Sequence, residues 1–158
     1  MLYLDSSVLI KHYVREPGTD AVHVKIKQES QPSGIFISDL GYAEILATIG
    51  KRVRENLLRQ KEGEELSERF LADWLFALGH VELTAGVLGL IPGLLKRHPL
   101  RGADAIHLAS ALWLRDALKL GKSLDPSAGI LEFATSDKQL KTAAALEGLR
   151  IFDPVNPT

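Results

Sequence analysis

Short apolar runs alternate with longer segments whose apolar residues recur at helical spacing. Leu2-Tyr3-Leu4 is a compact apolar run ending at Asp5 and predicts a buried strand; Ser6 then offers a cap for a helix on which Leu9, Ile10, Tyr13 and Val14 share a face. Pro17-Gly18 breaks the chain. Val22 to Ile26 alternates like a strand, but a β-α-α-β order suits the following elements, so it is read as helix. Ile35-Phe36-Ile37 predicts a second strand, and Ser38 or Asp39 caps a long helix carrying the stripe Tyr42, Ile45, Ile49, Val53. A polar turn is expected near Glu62-Gly63-Glu64, then a helix through Phe70, Trp74 and Leu78. His80 to Thr84 predicts a third strand, followed by a glycine-punctuated helix that runs to about Lys96 despite Pro92 and is ended by His98-Pro99. Residues Ala103 to Leu120 form the clearest helix, apolar on nearly every side through Trp113. Pro126 falls in a loop, Ile130 to Ala134 in a fourth strand, a last helix starts near Asp137, and Leu149 to Phe152 suits a short final strand.

Strands separated by helices imply an α/β fold: a parallel sheet of four to five strands flanked by helices on both faces. The working site of such a sheet lies beyond the carboxyl ends of its strands. With 158 residues the chain fits a single domain, 1–158. No apolar run reaches the roughly 18 to 20 residues a membrane helix needs, and the first residues lack the pattern of a secretory leader. Without Cys, disulfides, thiolate zinc sites and cysteine nucleophiles are excluded. These features lead us to expect a cytoplasmic protein with no membrane association.

Four acids stand at positions where such a fold presents groups to a ligand. Asp5 closes the first strand, although a helix cap would also explain it. Asp104 opens the most apolar helix, with Leu108 and Ala111 on its own row; an uncompensated carboxylate against apolar walls costs several kcal/mol. Its alternative is first-turn placement at the positive end of the helix dipole. Asp137 follows Thr135-Ser136 at the end of the fourth strand, where Ser136 with Gln139 also spells a capping box. Glu44 lies opposite the apolar stripe of its helix, near Thr48 and Lys51, and periodicity alone does not separate it from a solvated glutamate. His107 reads as a hydrogen-bonded core histidine. Lys51, Arg52, Arg54 and Arg59 read as a solvated face, while Lys96, Arg97 and Arg101, just before Asp104, are placed to flank an anionic substrate.

Taken together, four ionised carboxylates at one rim repel, each close pair by about 4 kcal/mol at 4 Å and an effective dielectric near 20. Protonation or a bound cation relieves that, and hard oxygen donors suit Mg²⁺ or Mn²⁺. Net charge is −1, from 19 Lys and Arg against 20 Asp and Glu, which by itself argues against a general nucleic-acid binder. Bound metals and a local basic patch would supply the missing positive field.

The segments bearing these acids resemble PIN-domain nucleases along nearly the whole chain. Leu2 to Ser7 looks like the family's opening strand with its first acid and adjoining hydroxyl. Asp39 to Ile45 matches the segment of the second acid, Ala103 to Ala109 that of the third with its histidine, and Ala134 to Asp137 that of the fourth. The resemblance implies a Rossmann-like fold and Mg²⁺- or Mn²⁺-dependent endoribonuclease activity. It implies metal held by Asp5, Glu44, Asp104 and Asp137, with Ser6 or Thr135 in support. It further implies an RNA substrate, a homodimer, and the toxin role in a VapBC pair, silenced by a VapB-type antitoxin. The stretch Arg59 to Gly93 and the loop Lys122 to Gly129 look long for a minimal toxin of this type. Two other readings remain: a phosphatase with Asp5 as nucleophile, which normally carries a second Asp where this chain has Ser7, and a PIN domain that binds RNA or a partner without cutting.

Overall fold

The computed structural model describes residues 1–29, 34–120 and 130–156. Its elements run β1 (Leu2–Leu4), α1 (Ser6–Tyr13), α2 (Thr19–Gln28), β2 (Ile35–Ser38), α3 (Asp39–Arg54), α4 (Gln60–Phe76), β3 (Gly79–Val81), α5 (Ala85–Arg97), α6 (Gly102–Leu120), β4 (Glu132–Ala134), α7 (Lys138–Leu146) and β5 (Arg150–Phe152). The five strands form one sheet in the order β3-β2-β1-β4-β5, every neighbouring pair parallel.

β1 is central and carries no charged side chain because both its faces are covered. Leu2 and Leu4 pack with Val8, Leu9, Ile37, Ile45, Ile49 and Phe70, a core built from α1, α2, α3 and α4. Tyr3 points to the other side, into a core of Phe133, Leu108, Leu112 and Leu140 built from α5, α6 and α7. Stacking of Tyr3 on Phe133, with ring centroids 5.4 Å apart, fixes the β1–β4 pair from that side. The segment 22–26 is helical, as the element order requires. Pro126 and the loop Lys122 to Gly129 lie outside the described residues.

The polar turn expected at Glu62-Gly63-Glu64 is instead the first part of α4, and the connection lies at residues 55–59. Arg59 caps α4, and Glu62 accepts from its backbone N–H at 2.8 Å and from its guanidinium at 2.7 Å. Gly63 is there for packing: a Cβ would stand 2.4 Å from Cγ2 of Val53, so only glycine lets α4 approach α3 this closely. β3 and β4 are shorter than expected, because pairing ends at Val81 and begins at Glu132. None of the described helices is long and apolar enough to cross a membrane.

Asp153, nearly buried just beyond β5, ties down the C-terminal segment. It accepts from Lys141 Nζ at 2.6 Å, from the backbone N–H groups of Val155 (3.0 Å) and Asn156 (3.3 Å), and from Asn156 Nδ2 (3.3 Å). Burial pulls its pKa upward, but the Lys141 ammonium and the three amide donors prevail and bring it down to about 2. A carboxyl depressed in the folded state adds stability above its unfolded pKa of about 3.9 and loses it as pH falls toward about 2. Asp153→Asn should therefore flatten the dependence of urea unfolding on pH between about 4 and 2 relative to wild type.

Candidate active site

β1 leads to α1 on one side of the sheet and β4 to α7 on the other, so the strand order reverses between these two neighbours. A crevice opens above their carboxyl ends, where ligands of open α/β sheets bind. Asp5 follows β1 directly and Asp137 stands three residues beyond Ala134 of β4. Glu44 reaches the same place from the second turn of α3, and Asp104 from the first turn of α6. All four line one cavity of about 480 Å³, together with Ser6, Lys11, Glu16, Thr48, Arg101 and His107.

Asp5 is 3% exposed and its side chain is fully engaged. Oδ1 accepts from Val8 N at 3.0 Å and from Ser7 Oγ at 2.7 Å, and Oδ2 from Thr135 Oγ1 at 2.6 Å. Asp5, not Ser6, caps α1, and it does so while lining the cavity, so its two readings coexist. The hydroxyl joined to Asp5 from its own helix is that of Ser7; Ser6 stands on the cavity wall and favours the charged form of Glu44. Thr135 Oγ1 also accepts from Asp137 N at 3.0 Å, so one hydroxyl positions two of the acids. Asp137 caps α7 through Oδ1, 2.9 Å from Leu140 N, in place of the Ser136 box, and leaves Oδ2 to the cavity. Burial pushes the pKa of Asp5 up, and the charge of His107 with the three donors around the carboxylate opposes that without overcoming it.

The crowding of charge is relieved by the protein's own cations, a route additional to protonation or an ion. The exposed guanidinium of Arg101 donates from Nε to Asp104 Oδ2 at 3.1 Å and from Nη2 to Asp137 Oδ2 at 3.3 Å. His107, 2% exposed, lies with Nε2 2.7 Å from Glu44 Oε2 and Nδ1 3.1 Å from the Tyr3 hydroxyl. An ionised carboxylate only accepts, so Nε2 carries the proton toward Glu44. Nδ1 meets the Tyr3 hydroxyl, which accepts from it in the charged ring and donates to it in the neutral one. Burial works to raise the pKa of Glu44, but the hydrogen bond and charge of His107 and the hydroxyl of Ser6 outweigh it and lower the pKa. His107 is thus the hydrogen-bonded core histidine its sequence suggested, and it also holds one of the four acids. Nothing in the spacing of Tyr3 pointed to this chain; only the facing of β1 against α6 reveals it.

Among the described residues, no three acid or imidazole side chains stand together closely enough to ligate one ion as they are placed. The donor set fits a hard divalent cation in kind, four carboxylates around one cavity. Arg101 occupies the space between two of them.

Comparison with known proteins identifies the family and the fold. A family model described as PIN domain matches residues 2–146. Two Mycobacterium tuberculosis proteins, Ribonuclease VapC45 and Ribonuclease VapC49, are each 32% identical over 151 residues, covering 96% of this chain and 94% of theirs. The chain belongs to the PIN-domain family. The stretch Arg59 to Gly93 is therefore no extension relative to these relatives. The fold is also that of FitAcB from Neisseria gonorrhoeae (TM-score 0.63, 17% identity, 98% of each chain) and of VapBC2 from Rickettsia felis (TM-score 0.62, 14% identity, 97% of this chain and 98% of that one).

Asp5→Asn keeps an oxygen for the Val8 N–H and removes a buried charge, so it should change the unfolding free energy by less than about 1 kcal/mol. Asp5→Ala, which loses the cap and strands the Thr135 hydroxyl, should cost about 2 kcal/mol. Urea unfolding of both variants checks the difference.

Proposed function

We propose that the chain is a Mg²⁺- or Mn²⁺-dependent endoribonuclease, a single catalytic domain whose site is formed by Asp5, Glu44, Asp104 and Asp137. The observation that carries this reading is the arrival of four carboxylates from four separate elements in one cavity at the strand switch. That the Mycobacterium tuberculosis relatives are named ribonucleases supports it.

A divalent ion at these acids supplies Lewis acidity toward the phosphoryl oxygens and charge for the leaving oxygen. The chain's own residues do the rest. Ser7, Thr135 and the Val8 N–H hold Asp5 in one rotamer. Tyr3 and His107 do the same for Glu44. Arg101 bridges Asp104 and Asp137, would have to yield them to a bound ion, and has an exposed guanidinium that could then serve the substrate phosphate. Single-stranded or looped RNA is the fitting substrate, since its backbone enters a rim cavity readily.

The VapC names of the 32%-identical relatives support the toxin role in a VapBC-type pair, with a VapB-type antitoxin as partner, and the shared fold of VapBC2 is in keeping with it; a cytoplasmic setting belongs to the same proposal. Homodimerisation is favoured by apolar side chains left open on α4, where Leu71, Leu75 and Phe76 are exposed. The phosphatase reading has nothing comparable: Ser7 donates to Asp5 in the place where a second acid would be needed.

Cleavage of a fluorogenic RNA should stop with EDTA and return with Mn²⁺ or Mg²⁺, and Asp104→Asn should reduce it at least a hundredfold. A variant that keeps wild-type rate removes Asp104 from the site. Arg101→Ala should tighten Mn²⁺ binding to the RNA-free protein several-fold by calorimetry, because no guanidinium competes for Asp104 and Asp137; weaker binding would contradict that competition.

A further inference from the structure

The cavity that holds the four acids continues between α1 and α3 to a second charged group that the chemistry above does not use. Lys11, 7% exposed, lines the wall and donates from Nζ to Glu16 Oε2 at 3.1 Å. Arg52 of α3 pairs with the other oxygen of Glu16. Two cations share one carboxylate, so within this triad positive charge exceeds negative by one, and Lys11 carries it on the cavity wall that also holds Asp5. Lys11 stands six residues along α1 from Asp5 and Arg52 eight along α3 from Glu44. At 1.5 Å rise per residue their backbone positions lie about 9 and 12 Å along the helices from those of the acids. Negative charge collects at one end of the cavity and positive charge at the other.

The chain between α1 and α2 is shaped to keep Glu16 in place. Glu16 N donates to Thr19 Oγ1 at 2.9 Å, and that hydroxyl donates to Lys11 O at 3.1 Å. Gly18, at φ 93°, lies where a Cβ would be 2.9 Å from Pro154 O, so the turn is held by both its conformation and its packing. A pair that only tied two helices together would need one cation; the second is in excess.

We propose that Lys11, positioned by Glu16 and Arg52, binds a backbone phosphate of the RNA next to the one cut at the carboxylates. This rests on the ribonuclease reading and adds a substrate contact to it. The distance from the acids suits a neighbouring phosphate along an extended strand, and a phosphate supplies the anion that the excess charge lacks. Arg52 acts through Glu16 and is a positioning residue.

Steady-state cleavage of a fluorogenic single-stranded RNA, across a series of salt concentrations, tests the assignment on the intact protein with Mg²⁺. Lys11→Met should raise KM about tenfold with kcat nearly unchanged and lower the slope of log kcat/KM against log salt by about 0.7, the value for one lost contact on a single strand. Lys11→Arg should restore most of the loss. Glu16→Gln should raise KM several-fold with kcat nearly unchanged and the salt slope kept, because Lys11 retains its charge but loses the carboxylate that positions it. Unchanged KM and slope in Lys11→Met overturn the phosphate contact and leave the ribonuclease intact. Should Lys11→Met not fold, Glu16→Gln decides alone, and a lowered or unchanged KM there overturns the proposal. A wild-type protein that cuts no RNA overturns the ribonuclease reading and this contact with it.

Discussion

Like charges gathered around one crevice repel, so each must be stabilised by a partner. Four carboxylates meet above the ends of β1 and β4, and each has a partner. Asp5 has Ser7, Thr135 and an amide, Glu44 has His107, and Asp104 and Asp137 share Arg101. The partners differ in how easily they leave. The contacts of Asp5 are buried and local, and burying them binds the carboxylate to one position. Arg101 is three-quarters exposed, and an exposed ion pair is readily exchanged for another cation. The site is thereby rigid at its base and exchangeable at its mouth, which would suit the ion and the phosphate of the proposed activity.

Position follows from topology. Parallel strands end on one side of a sheet, and the reversal of order between β1 and β4 keeps any helix from covering the crevice above them. The shared Thr135 then makes the two neighbouring strands act as one support, because its hydroxyl bonds Asp5 and the backbone of Asp137. Both aspartates also cap the helices they precede, so the bonds that begin α1 and α7 fix the orientation of the acids.

Much of this was legible along the chain. β1, β2, α3 and α6 follow from apolar runs and helical stripes, and the order of elements correctly made residues 22–26 a helix despite their alternation. Asp104 announced itself as a charge at the head of a buried helix. The Glu62-Gly63-Glu64 segment misled, because glycine among acids has the composition of a turn whereas its role is contact with Val53 across two helices. Glu44 was recognisable only by resemblance, since its partner His107 lies 63 residues away and no periodicity records that bond. Arg52 passed for part of a solvated face for the same reason: Glu16 is 36 residues distant.

The central claim is that these acids jointly hold a divalent ion where Arg101 now stands. Anomalous diffraction from crystals grown with Mn²⁺ tests it most directly. The account predicts manganese within the cavity, bonded to oxygens of the four carboxylates, with Arg101 turned away from Asp104 and Asp137. Manganese found only elsewhere on the molecule, with Arg101 still bridging those two aspartates, would contradict it.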